Sequence, residues 1–132
     1  MGQKFSIAVV DAHPLLAEGV LQARRSAGNF DVVGGGANAG DAVAIAREKR
    51  PNVMVIEVEL PGGGLEAARQ VTQTSPETKI VFLTSSENDE HVSTALRDGA
   101  KGYILKGVSK TEFIKILGEI CSGRFYVNPA IA

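Results

Sequence analysis

Short runs rich in valine and isoleucine recur along the chain at nearly even spacing: Phe5–Val10, 30–33, 53–58, 80–83 and Gly102–Leu105. Their period of roughly 24 residues is about what a buried strand plus a crossover helix requires. Between the runs lie helix-length stretches whose apolar residues recur at three and four positions. These are Leu15, Leu16, Gly19, Val20 and Ala23, then Ala42, Val43, Ile45 and Ala46, followed by 65–74, 90–97 and Lys110–Cys121. All five prolines fall at predicted edges: Pro14 suits a first helical turn, Pro51 and Pro61 flank the third strand, and Pro76 and Pro129 follow helices.

The strands read as continuous apolar runs, not as strict alternation, which implies burial on both faces and a parallel sheet between helix layers. The pattern therefore predicts an α/β fold, a five-stranded doubly wound (βα)5 domain. In such folds ligands and chemistry sit in the crevice beyond the C-terminal ends of the strands.

Composition narrows the class. A chain of 132 residues, 44% apolar, is expected to form one domain and to bury roughly two-thirds of its unfolded surface without staples. The single thiol, Cys121, cannot close an internal disulfide, so a secreted disulfide scaffold is excluded and a cytoplasmic location is expected. With 14 basic and 15 acidic residues the chain has no positive excess for displacing counterions from nucleic acid, so direct DNA contact by this segment is not expected. The apolar run at the N-terminus breaks at Asp11, too short for a signal peptide or a membrane span.

At the carboxyl ends of the predicted strands, polar groups of complementary type converge from four separated segments. Asp11-Ala12-His13-Pro14 follows the first strand, Glu57-Val58-Glu59-Leu60-Pro61 ends the third, Thr84-Ser85-Ser86 the fourth, and Tyr103-Ile104-Leu105-Lys106-Gly107 the fifth. Two carboxylates, a hydroxyl and an ammonium can thus meet in one crevice.

In this order and spacing the set resembles the receiver domain of bacterial two-component response regulators, of the NarL/FixJ type. The resemblance covers almost the whole chain through VVDAHPLLAEGV, EKRPNVMVIEVELPGG, TKIVFLTSSENDEHVSTALRDGAKGYILKGVS and SGRFYVNPAIA. It implies the flavodoxin-like receiver fold with strand order 2-1-3-4-5, a signalling domain rather than an enzyme, and a receiver spanning 1–123. Residues 124–132 then resemble the start of a linker to a helix-turn-helix output domain outside this chain, as in a transcriptional regulator. By resemblance, Asp11 fills the first acidic position, Glu57 the phosphoacceptor position, Thr84 and Lys106 the switch hydroxyl and phosphate-site lysine, and Tyr103 the aromatic switch position.

The departures from the family pattern carry the mechanism. Ala12 stands where the family has a second aspartate that ligates Mg²⁺, Glu57 replaces the phosphoacceptor aspartate, and Gly62-Gly63-Gly64-Leu65 is one residue shorter than the usual loop. Mg²⁺ takes octahedral oxygen ligation, and alanine offers no oxygen. Glutamate reaches on the order of 1 Å further than aspartate, and a misplacement of that size can cost ~100-fold in rate. Mg²⁺ binding is therefore weakened, no cofactor is expected, and phosphorylation is expected to be absent or very weak.

Three readings of Glu57 stay open. It mimics an aspartyl phosphate by accepting bonds from Thr84 and Lys106, or it forms a structural ion pair with Lys106 in a degenerate pocket, or Asp11, Glu57 and Glu59 together retain a metal. The implied partners are proteins, met through the first, fourth and fifth helices of the family, as a homodimer or with an output domain, and a histidine kinase upstream. The last helix fits this with a wide apolar face of Phe113, Ile114, Ile116, Leu117, Ile120 and Cys121, although the tail Phe125-Tyr126-Val127 can cover part of it.

A second function class is a small α/β domain that binds a nucleotide or metabolite in the same crevice. Gly34-Gly35-Gly36-Ala37-Asn38-Ala39 fits G-x-G-x-x-A after a strand. It follows the second strand, not the first, and a flexible turn accounts for it. Ser85 and Ser86 lack the glycines of a hydrolase nucleophile elbow, and His13 and His91 have no ligand-like partner at helical spacing.

Overall fold

The computed structural model describes residues 5–12 and 30–129. His13, Pro14 and the predicted first helix lie outside the described residues. Six strands are described: β1 (Phe5–Val10), β2 (Phe30–Gly36), β3 (Val53–Ile56), β4 (Lys79–Thr84), β5 (Gly102–Leu105) and β6 (Tyr126–Val127). Four helices connect them: α1 (Ala39–Lys49), α2 (Gly64–Thr74), α3 (Asp89–Arg97) and α4 (Lys110–Cys121). The strands form one sheet in the order β2-β1-β3-β4-β5-β6, and every described pairing is parallel.

The expected order 2-1-3-4-5 is present, and the tail adds a strand to it. Tyr126 and Val127 pair with Gly102 and Tyr103. The Tyr126 amide donates to the Lys101 carbonyl and the Asn128 amide to the Tyr103 carbonyl, each at 3.0 Å. The sheet is six-stranded where five strands were predicted, because an extended tail satisfies the open hydrogen-bonding edge of β5.

Alternation along each central strand divides the core in two. Ala8, Val10, Met54, Ile56, Phe82 and Tyr103 face α1, α2 and α3, whereas Ile7, Val9, Val53, Val55, Val81, Leu83 and Ile104 face α4. Both faces are dry, which is why these strands read as unbroken apolar runs. The wide face of α4 is mostly consumed inside the domain: Phe113, Ile116, Leu117 and Ile120 are buried, and Ile114, Cys121 and Tyr126 pack against the same cluster.

The glycine run is strand, not the flexible turn predicted. Gly34, Gly35 and Gly36 pair with Ala8, Val9 and Val10 after a register shift, and a Cβ at Gly34 would come within 3.1 Å of the Ile45 side chain. Small residues there let α1 lie close on the edge of the sheet. Helix starts follow the expected chemistry, with Asn38, Asn88 and Ser109 capping α1, α3 and α4 through their side chains. Among the described residues no helix is long and apolar enough to cross a membrane.

Candidate functional site

The ladder hydrogen bonds run one residue past the strands and so place the site side chains. Asp11 donates its amide to Gly36, Glu57 to Val10 and Lys106 to Thr84, at 3.0, 3.2 and 3.0 Å. Each residue is thereby fixed at the carboxyl end of its strand, beside its neighbour's. All four polar groups expected to converge do so.

Lys106 joins both acids. Its Nζ lies 2.8 Å from Glu57 Oε1 and 2.9 Å from Asp11 Oδ2. The carboxylates are nearly sealed, with Asp11 7% and Glu57 6% exposed. The second Glu57 oxygen, Oε2, accepts from the buried Thr84 hydroxyl and, at 2.9 Å, from the Glu59 amide. Every oxygen of Glu57 thus has a donor within the protein, as a buried carboxylate requires.

Burial alone would lower the Lys106 pKa, but the hydrogen bonds and charges of Glu57 and Asp11 outweigh it, so the pKa is raised and the ammonium persists. Among the described residues the site joins two carboxyl groups to one ammonium, and the cation at its centre belongs to the chain itself.

The site does not fit the Mg²⁺ that the family resemblance implies. The ammonium stands between the two acids, Ala12 brings no oxygen, and Glu57 Oε2 is engaged by Thr84 and Glu59. The reading of Asp11, Glu57 and Glu59 as a three-carboxylate metal site is corrected: Glu59 is exposed and contributes its backbone amide, not its side chain, to Glu57. Among the described residues no three metal-binding side chains come together.

Tyr103 is fully buried, and its hydroxyl donates to the Ser86 carbonyl at 2.9 Å. Its ring lies 6.1 Å from that of Phe82. Desolvation raises the phenol pKa against the Ser86 bond, and the charges of Glu57 and Glu59 add to the rise. Ser86, discarded as a nucleophile, connects this tyrosine with Thr84, to whose Oγ1 the Ser86 amide donates at 3.2 Å. Its Oγ is 2.7 Å from His91 Nδ1. Sequence reasoning missed the Ser86–His91 contact. The one available signal was that the first turn of α3 returns a residue five positions on to the end of β4.

The glycine run leads into a helix start whose amides are largely engaged within the chain. The Ala37 amide is held by Asp41 Oδ2 at 2.9 Å and the Asp41 amide by the Asn38 side chain at 2.9 Å. With the Ala39 amide donating to the Pro61 carbonyl at 2.9 Å, three of the amides that could meet a pyrophosphate at the start of α1 are engaged within the chain.

Comparison with known proteins agrees with this geometry. The family model described as "Response regulator receiver domain" matches residues 7–118. The response regulator GacA of Pseudomonas aeruginosa is 33% identical over 127 residues, which cover 96% of this chain but 59% of GacA. A LuxR-family two-component response regulator from Aurantimonas sp. SI85-9A1 superposes with a TM-score of 0.89 at 30% identity, covering 98% of this chain and 93% of that one. The signal receiver domain of the putative response regulator NarL from Mycobacterium tuberculosis gives 0.86 at 29% identity, covering 92% and 99%.

Proposed function

The chain belongs to the response regulator receiver domain family, and from that premise we propose that it is the receiver of a NarL/LuxR-type transcriptional regulator that signals without phosphorylation of Glu57. The observation that carries the reading is the Lys106 ammonium seated between Asp11 and Glu57. Phosphoryl transfer to a carboxylate needs cationic charge on the transferring oxygens and an unencumbered nucleophile. Here the cation is spent on the resident acids, and both Glu57 oxygens already accept hydrogen bonds.

Incubation with acetyl phosphate, with and without Mg²⁺, followed by intact mass spectrometry tests this. No added phosphoryl group is the expected result. A stoichiometric, Mg²⁺-dependent, hydroxylamine-labile adduct on Glu57 overturns the proposal.

Of the readings left open, mimicry is favoured by two contacts. Thr84 is drawn onto Glu57, and Tyr103 is buried with its hydroxyl anchored inside the domain. Glu57 then holds the switch hydroxyl and lysine in the positions that the family resemblance assigns to a phosphorylated aspartate. Glu57→Gln, which keeps shape and removes charge, should alter oligomeric state or output contact. An unchanged variant reduces the pocket to a structural ion pair.

The output is protein contact. We infer that it uses the predicted first helix with α3 and α4, toward a second copy or a helix-turn-helix domain following the linker 124–132, with a histidine kinase upstream; the family resemblance supports this reading. Any DNA contact belongs to that further domain. The chain spans 59% of the length of GacA, which accommodates such a domain.

A further inference from the structure

We propose that Ser86 is a positioning residue that couples the Glu57 pocket to the first turn of α3 through a hydrogen bond to His91. The coupling rests on the reading of Glu57, Thr84 and Lys106 as a switch pocket, and adds a route out of it that is separate from Tyr103.

The geometry is a branched chain of polar contacts with Ser86 at the fork. Thr84 donates to Glu57 and accepts from the Ser86 amide. From Ser86 one branch leaves through its carbonyl, which accepts from Tyr103 on β5. The other leaves through its hydroxyl, 2.7 Å from His91 Nδ1 on α3. The Asn88 amide donates to that same hydroxyl oxygen at 3.3 Å.

The contact also sits where α3 is anchored. Asn88 caps the helix by accepting from the Glu90 and His91 amides at 2.8 and 3.3 Å. His91 is therefore held at its backbone by the cap and at its ring by Ser86. A shift of Thr84 toward or away from Glu57 moves the Ser86 backbone, and through the hydroxyl it moves the start of α3. A partner docked on α3 would sense the pocket by this path.

The two branches leave Ser86 through different atoms, so they can be separated. Ser86→Ala removes the hydroxyl branch and leaves the backbone amide and carbonyl in place. Ser86→Thr restores a hydroxyl.

The experiment compares nuclear magnetic resonance spectra of the 132-residue chain with and without Glu57→Gln, in the native, Ser86→Ala and Ser86→Thr backgrounds. His91 ring nitrogen shifts and Tyr103 ring shifts are the readouts. In the native background Glu57→Gln should shift both His91 and Tyr103. In Ser86→Ala the His91 response to Glu57→Gln should be lost while the Tyr103 response remains, and Ser86→Thr should restore the His91 response. A His91 response of equal size in Ser86→Ala overturns the coupling. So does a native His91 that ignores Glu57→Gln while Tyr103 responds. Silence at both rings overturns the coupling together with the switch reading, and is thereby distinguishable from failure of the coupling alone.

Discussion

Gly64 lies against the Glu57 carbonyl so closely that a Cβ would fall 1.9 Å from that oxygen and 2.7 Å from the carbonyl oxygen of Val58. The Gly64 amide donates to Val58 at 3.1 Å, and Gly62 and Gly63 take φ of 91° and 95°. The shortened loop therefore seats the start of α2 directly on the backbone of the site residue. Gly64→Ala should destabilise by about 3 kcal/mol, at the upper end of overpacking costs, because backbone rather than a flexible side chain must yield. Gly102→Ala serves as the contrast. Its Cβ would meet Ile120 Cδ1 at 2.7 Å, the movable end of a side chain, and strand alanine is favoured over glycine. Urea unfolding should rank Gly64→Ala as the more damaging, and the reverse order contradicts the close-approach account.

Removing the ammonium should expose what it neutralises. Lys106→Met leaves Asp11 and Glu57 nearly buried without the cation they share. Breaking a fully buried pair costs ~3–5 kcal/mol, but the Lys106 side chain is 23% exposed, and solvent reduces the loss to about 1–3 kcal/mol. The same variant should bind Mg²⁺ more tightly than the native chain by titration calorimetry. Equal stability at neutral pH, or no gain in metal affinity, would show that the lysine is not what balances the pocket.

The convergence at the strand ends was legible in the sequence because a parallel sheet with short βα loops leaves little freedom at those positions. Asp11, Glu57, Thr84 and Lys106 each follow or end an apolar run, and their meeting follows from topology alone. The pairing of Lys106 with Glu57 was readable, but its second contact, with Asp11, was not, because it depends on a side chain reaching from the end of β5 across β4 and β3 to β1. Nor was β6: two residues carry no readable periodicity, and the strand exists because β5 has an edge to offer. The glycine run misled for a physical reason. Glycine is a poor strand former taken alone, but at Gly34 it gives room to the Ile45 side chain, which a Cβ would crowd at 3.1 Å.

Alkali should destabilise the fold in stages. Burial raises the Cys121 thiol pKa against the partly offsetting Lys79 charge, burial raises the Tyr103 phenol, and the Lys106 ammonium is raised net by Glu57 and Asp11 against its own desolvation. All three groups hold a proton more tightly folded than unfolded. Stability from each is therefore fully present below its unfolded pKa and is lost as pH rises through the folded value. The first loss should begin near the ordinary thiol pKa of about 8.5, and the others above about 10. Cys121→Ser should delay the onset, and Lys106→Met should flatten the upper part of the curve. Unfolding midpoints constant from neutrality to about pH 10.5 would contradict the sign.

The added strand makes the tail part of the domain's stability. Deleting residues 124–132 removes Tyr126 from the cluster beneath α4 and strips the Tyr126 and Asn128 amides from the carbonyls of Lys101 and Tyr103. Tyr126 is only half-buried, so its loss and that of the edge bonds together should cost about 1–3 kcal/mol. A bare β5 edge is also a template for another chain, so the truncated protein should form larger species than the full chain at equal concentration in sedimentation velocity. Phe125 separates strand pairing from the mere presence of an aromatic tail. It is 67% exposed, with Lys101 Nζ 4.6 Å from its ring centroid. An exposed cation–π pair is worth about 0.5–1 kcal/mol, so Phe125→Ala should cost no more than that and leave the association state unchanged. A truncation as mild as Phe125→Ala would mean that β6 decorates the edge without closing it.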